Sequence, residues 1–213
     1  MNYRKKSLNF VFALLVIAGM LNGKSIYAAG ISVDTGWNAS INESTFSTDG
    51  DITNSGTLSL STGSIGATGN WTNTGTFNSG ADGTVSFTGT DASTITGANT
   101  FTNFTCTQAG KTLNFEAGKT QTISGVWTLT GSTGSLISLR SATSGTQWSV
   151  NPTGTKNISS VDVKDSNNIS SSLISPASST DSGNNTNWFA AVVLVPTITS
   201  FTPTSATTGD TVT

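Results

Sequence analysis

Leu113-Asn114-Phe115, Ile137-Ser138-Leu139 and Val161-Asp162-Val163 are strand-like triplets whose leading residues stand 24 and 24 positions apart. In each triplet two apolar residues flank a polar one, the period-2 alternation of a strand with one buried face. Recurrence at a spacing of two dozen residues predicts a solenoid, in which each turn of chain buries its inner face only against its neighbours. A single turn carries too few apolar side chains to offset the entropy of ordering its backbone, so the turns must stack to be stable. The expected register puts Leu113, Ile137 and Val161 directly above one another, about 4.8 Å apart.

A second family runs beside the first in Phe104/Cys106, Trp127/Leu129 and Trp148/Val150, at offsets of 23 and 21. Val85-Ser86-Phe87 reads as an earlier member of the first family, 28 residues before Leu113. Nearer the N-terminus, Ile52-Thr53-Asn54-Ser55-Gly56-Thr57-Leu58 matches Trp71-Thr72-Asn73-Thr74-Gly75-Thr76-Phe77 at an offset of 19. That unit reads as strand, corner, strand, with Gly supplying positive φ and Asn tolerating the left-handed region at the corner.

Residues 1–29 read as a cleavable signal peptide. Arg4, Lys5 and Lys6 form the basic start, an apolar stretch runs from Leu8 to Leu21, and the small residues Ala28 and Ala29 follow. The apolar run is short for a bilayer span, which needs about 20 residues. Removing this segment takes away Arg4, Lys5, Lys6 and Lys24, which leaves five basic residues against eleven acidic ones, a net charge near −6. The remaining Lys111, Lys119, Arg140, Lys156 and Lys164 are scattered singly and read as solvated rim residues, so no basic stripe for nucleic acid exists. Only 9% of the chain is charged, while ten Phe and five Trp stand in a Gly/Ser/Thr/Asn background. A disordered chain carries more charge and fewer aromatics, and no amphipathic helix pattern is present, so the mature chain reads as all-β.

After Val163 the pattern gives way to polar loops and then to Trp188-Phe189, read as a lid on the last turn. Val161-Asp-Val-Lys-Asp165-Ser166, followed by Asp181-Ser-Gly-Asn-Asn-Thr-Asn-Trp188, resembles the closing pattern of secreted bacterial repeat proteins. The Thr-Asn-x-Gly-Thr units upstream are similar to those of bacterial surface β-helix proteins of the autotransporter and filamentous-adhesin kind. Pro196-Thr-Ile198-Thr-Ser200-Phe201-Thr-Pro203-Thr-Ser205, with Gly209 and Val212 beyond it, resembles the opening strand of an IPT/TIG domain, an immunoglobulin-like module. Ala206 and Thr207 depart from that family's pattern, and about 18 residues are far short of the roughly 100 that a sandwich needs.

Chemistry is sparse. The chain has no His, which removes Ser-His-Asp and Cys-His centres and any His-containing zinc site. Cys106, the lone cysteine, shares a strand face with Phe104 and reads as a buried small hydrophobe. Asp162, Lys164 and Asp165, with Arg140 one repeat earlier, form a charged patch that a β-helix polysaccharide lyase would place in a groove; as a surface ion pair it is worth about 0–1 kcal/mol. Asp49-Gly50-Asp51 and the Asp181–Asn187 loop offer oxygen ligands that suit calcium, yet neither has a calcium-loop spacing, and turn formation accounts for both. Thr-x-Thr pairs such as Thr120/Thr122 and Thr128/Thr130 raise an ice-binding array. At an offset of 24 they map onto Ser144/Thr146 and Pro152/Gly154, so Thr reads as a strand former.

The expectation is an all-β parallel β-helix, a single-stranded β-solenoid with a C-terminal cap, over 30–189. A signal peptide precedes it at 1–29, and a linker with the start of a truncated IPT/TIG immunoglobulin-like domain follows at 190–213. The function expected is that of a secreted bacterial cell-surface stalk or adhesive scaffold, with no catalytic, cofactor or metal residues. Its expected partners are carbohydrate or other cell-surface and matrix components, and further domains of the same polypeptide beyond residue 213, with no nucleic acid and no membrane insertion of the mature chain. The alternative is a β-helix polysaccharide-binding or polysaccharide-degrading enzyme.

Overall fold

The computed structural model describes residues 25–191 and 207–209. The described chain is a parallel β-solenoid without a helix. Numbered in chain order, the first turn is β1 (Ser25–Ala28), β2 (Ile31–Val33) and β3 (Asn38–Ile41), and the second is β4 (Thr45–Thr48), β5 (Ile52–Asn54) and β6 (Thr57–Leu60). The third is β7 (Ser64–Ala67), β8 (Trp71–Asn73) and β9 (Thr76–Asn78), and the fourth is β10 (Thr84–Phe87), β11 (Ser93–Thr96) and β12 (Asn99–Phe101). The fifth is β13 (Asn103–Cys106), β14 (Thr112–Phe115) and β15 (Thr120–Ile123), and the sixth is β16 (Val126–Thr130), β17 (Ile137–Ser141) and β18 (Trp148–Pro152). The seventh is β19 (Thr155–Ser159), β20 (Val161–Val163) and β21 (Ser166–Asn168). An eighth is reduced to β22 (Thr180–Asp181) and isolated parallel bridges from Ala177 and Thr186.

Three faces result. The first strand of each turn builds a seven-stranded sheet and the second an eight-stranded sheet. The third face is split into β3-β6-β9 and β12-β15-β18-β21. Every strand pairing between turns is parallel, so backbone groups bond along the stack while alternate side chains point inward. The core is one continuous column from Val33 to Trp188.

The 19-residue repeat stacks as the sequence implies, with Ile52 on Trp71, Asn54 on Asn73 and Leu58 on Phe77. The corner residues work differently from expectation. Asn54 and Asn73 point inward from strands, and the Asn54 amide donates to Asn73 Oδ1 at 2.8 Å and to Thr76 O at 2.9 Å. Gly56 is required by close approach: a Cβ there would collide with the carbonyl oxygens of Asp34 and Trp37. The corners are therefore held by an inward amide ladder and by tightly stacked backbone.

Two register expectations are corrected. Ile137 does pair with Val161, but Leu113 pairs with Leu139, an offset of 26. The position beneath Ile137 belongs to Lys111, whose carbonyl accepts the Ser138 N–H at 2.9 Å. In the second family Phe104 pairs with Trp127 as expected. The next residue under Trp127 is Lys156, and Trp148/Val150 lie instead on the third face in β18. In both places a lysine occupies an inward position, and an apolar pattern cannot register it. Val85-Ser86-Phe87 is likewise a first-face strand, paired with β13 at an offset of 19, and so belongs with Phe104 rather than with Leu113.

The expected signal segment lies outside the described residues through residue 24, and Ser25–Ala28 pairs with β4. The expected immunoglobulin-like start at 190–213 lies outside them apart from 190–191 and 207–209.

Candidate functional site

The outward residues of the first face form two ranks fixed by the strand register. One runs Thr45, Ser64, Thr84, Asn103, and its continuation Val126, Thr155. The other runs Ser47, Gly66, Ser86, Thr105, Thr128, Asn157. From β4 to β19 none of these side chains carries a charge. Lys156 sits at an inward position of its strand, and its Nζ donates to Ser172 Oγ at 2.9 Å. Neighbouring hydroxyls bond along the stack, as Ser64 Oγ does to Thr45 Oγ1 at 3.0 Å. Parallel pairing sets the members of a rank about 4.8 Å apart and the two ranks about 6.6 Å apart, so the face, Gly66 and Val126 aside, is a grid of donors and acceptors. The Thr-x-Thr test at 24 residues used the wrong spacing: Thr105 stacks on Thr128 at 23 and Thr128 on Asn157 at 29. Thr120 still gives way to Ser149 and Asn167, so no pure threonine array forms.

Of the charged patch expected from sequence, Arg140 and Asp162 come together on the second face, while Asp165 turns inward to other partners and the Lys164 side chain joins neither carboxylate. Arg140 forms an ion pair with Asp162 through Nη2, and its Nη1 donates to Asp162 O at 2.6 Å and Leu139 O at 3.0 Å. The other Asp162 carboxylate oxygen accepts from Ser182 Oγ at 2.6 Å. Asp165 turns inward at a corner with φ of 56° and is buried. The Asn184 amide at 2.7 Å and the Gly145 N–H at 3.0 Å hold its carboxyl below the usual carboxylate range, so it stays ionised. Both carboxylates thus spend their oxygens on neighbouring turns, and the patch ties turns six to eight together.

The oxygen-rich loops are also committed to protein hydrogen bonds. Asp51 Oδ1 accepts the Asn70 N–H at 2.7 Å, and Asp181 Oδ1 accepts the Gly183 N–H at 2.9 Å and the Asn185 amide at 2.6 Å. Among the described residues no group of three His, Cys, Asp or Glu is placed to hold a metal ion. Cys106 is buried beside Phe104's strand neighbours, and desolvation pushes its thiol above the usual range. Trp188 is buried against Trp127, with ring centroids 5.6 Å apart, and its Nε1 donates to Ser166 Oγ at 2.8 Å. The small inward residues Ser166 and Asn168 of the seventh turn make room for the indole to reach the sixth.

Sequence reasoning missed Lys111. It was read as a solvated rim residue, yet it is fully buried, and its Nζ donates to Asp91 O at 2.8 Å and to Thr68 O and Gly89 O at 3.4 Å. Burial pulls its ammonium below the ordinary lysine value. Missed as well was Trp37, exposed at the corner between β2 and β3. No signal in the apolar spacing marks either residue. No family model matches the chain, and neither a curated protein nor a solved structure matches it.

Proposed function

We propose that the chain is a secreted cell-surface scaffold, a stalk with an adhesive wall, and not an enzyme. The observation that carries this reading is the first face, whose outward ranks from β4 to β19 carry no charge and, apart from Gly66 and the exposed Val126, are hydroxyl and amide groups. Such a surface makes many weak, individually dispensable hydrogen bonds, and repeated engagement converts them into useful avidity. The signal-like segment 1–29 supports export, and the resemblance of 196–213 to an IPT/TIG opening supports a modular surface protein. Carbohydrate or matrix components are the partners that suit this chemistry.

The test is retention of beads coated with the full chain on cells or immobilised matrix under flow. Retention should rise steeply with coating density and fall at least fivefold when T105K/T128K puts two ammonium groups in the middle of the face. Retention no better than that of the lysine variant rejects the adhesive wall. Release of new reducing ends from a polysaccharide would instead establish the enzymatic alternative.

A further inference from the structure

The chain has five tryptophans, and Trp71, Trp127, Trp148 and Trp188 are at most 1% exposed, whereas Trp37 is 55% exposed. Solvent exposure of the largest apolar side chain costs hydrophobic free energy, so an indole left outside a core that buries every other one demands a reason. The Trp37 backbone is also pinned. Its N–H donates to Asp34 O at 3.0 Å, closing a four-residue turn whose third residue, Gly36, has φ of 85°, the place where a type II turn needs glycine. Its carbonyl accepts the Thr57 N–H at 2.9 Å, which pins the corner to the second turn. The Asp34 carboxylate is occupied by Ser32 Oγ at 3.0 Å. Among the described residues Trp37 makes no ring contact.

The surroundings specify what the indole faces. Asn38 stacks on Thr57 and Thr57 on Thr76, so the Trp37 position is followed in the next two turns by Gly56 and Gly75. Neither glycine admits a Cβ, because stacked backbone carbonyls lie in the way, and no side chain rises beside the indole along this corner. The adjoining strip of the third face presents Asn38, Thr57, Ser59, Thr76 and Asn78 outward, all neutral, with Asn78 Nδ2 donating to Ser59 Oγ at 3.3 Å. An exposed indole on a pinned backbone, beside a ladder of neutral donors and acceptors, complements a ligand with an apolar C–H face and a rim of hydroxyls.

We propose that Trp37 and this strip form a binding site for a neutral polysaccharide chain, one pyranose lying on the indole and its neighbours hydrogen-bonded to Thr57, Thr76 and Asn78. The site lies on a different face from the adhesive wall and stands or falls independently of it. Because the other four indoles are buried, acrylamide quenches chiefly Trp37, and the difference in emission between wild type and Trp37→Ala isolates its spectrum from theirs.

The experiment is affinity electrophoresis of the full chain in gels containing mixed-linkage β-glucan, xyloglucan or galactomannan, with polygalacturonate as the anionic control, alongside fluorescence with the same polysaccharides in solution. Retardation by at least one neutral polysaccharide is expected, with a blue shift and protection from acrylamide. Trp37→Ala should weaken binding at least tenfold at an unchanged unfolding midpoint, Trp37→Tyr should restore part of it, and T105K/T128K should leave it intact. Equal retardation of wild type and Trp37→Ala overturns the proposal. So does an indole already shielded from acrylamide in the free chain, or the absence of retardation in all three neutral gels. Loss of binding in T105K/T128K with Trp37→Ala unaffected would place carbohydrate on the adhesive wall instead.

Discussion

Replacing Lys111 by methionine removes a buried charge while keeping most of the side-chain volume, and the structure decides the sign of the effect. A buried ion pair exchanged for hydrophobes is often neutral or stabilising, because both desolvated charges vanish together. Here the partners are backbone carbonyls of Thr68, Gly89 and Asp91, which stay behind when the ammonium goes. Thr68 O keeps a second donor in Ser93 Oγ at 3.2 Å, and Asp91 lies at an exposed corner where water can take the place of the ammonium. Gly89 O, at a half-buried corner, is left to bear most of the loss, and the orphaned acceptor there costs up to about 1–3 kcal/mol. Lys111→Met should therefore lower the melting temperature by about 2–4 °C per kcal/mol for a chain of this size. Lys111→Ala should lose roughly 2–3 kcal/mol more than the methionine variant, from the further loss of a methylene, a sulfur and a methyl group and the cavity they leave. The pH dependence follows from the same burial. With its folded-state pKa depressed, the lysine binds fewer protons folded than unfolded between that value and the ordinary one. Stability should rise with pH through that alkaline window and be lost again as pH falls, and the rise should be absent in Lys111→Met. The assay is thermal and urea unfolding followed by circular dichroism from neutral to alkaline pH. A methionine variant as stable as wild type, with the same pH profile, would refute the carbonyl-capping account.

Four further outcomes follow from the packing. Asn99 accepts from Trp71 Nε1 at 2.9 Å and donates to Gln121 Oε1 at 2.8 Å, so Asn99→Leu strands two buried polar groups and should cost about 2–6 kcal/mol, read from the urea midpoint. A Cβ at Gly66 would come no closer than 3.5 Å to any neighbour, meeting Ser47 at ordinary contact distance, so Gly66→Thr should be neutral or add up to about 1 kcal/mol of strand stability. A Cβ at Gly154 would collide with the Gly125 carbonyl, so Gly154→Ala should lower the melting temperature clearly, and the two substitutions separate open from closed glycine sites in one thermal-shift experiment. Cys106, buried with its thiol raised by desolvation, should resist iodoacetamide at pH 8 in the folded chain and react at the rate of a free thiol in urea.

The architecture was legible because strand alternation survives wherever inward positions are apolar. Ile52 to Leu58 against Trp71 to Phe77 carried the true 19-residue register, and Phe104/Cys106 against Trp127/Leu129 carried the true 23. Legibility failed where a lysine takes an inward strand position, buried at Lys111 and half-exposed at Lys156. The inward Lys111 and Lys156 read as surface charges, and each shifted the apparent register to the next apolar pair, Leu113 in one case and Trp148 in the other. Two columns were inferred where three faces exist, because corner lengths vary and the offset between consecutive turns ranges from 18 to 29 residues. A periodicity search tuned to one spacing merges faces under that variation. The charged patch was found because Arg140 and Lys164 share a fixed offset, whereas its exhaustion in internal bonds depends on Ser182, Asn184 and Gly145, which no spacing rule links to it. Trp37 was invisible for the opposite reason: a tryptophan reads as core until burial is known.

The stacking register is tested most directly by disulfide cross-linking on the first face in a Cys106→Ala background. Thr105 and Thr128 are register partners and both point outward, so their Cα atoms stand about 4.8 Å apart, inside the range a disulfide bridges. Thr105 and Thr130 lie on the diagonal at about 8 Å, beyond it. The account predicts rapid oxidation of T105C/T128C and little of T105C/T130C. Equal cross-linking of the two pairs, or none in T105C/T128C, would contradict a solenoid stacked in this register.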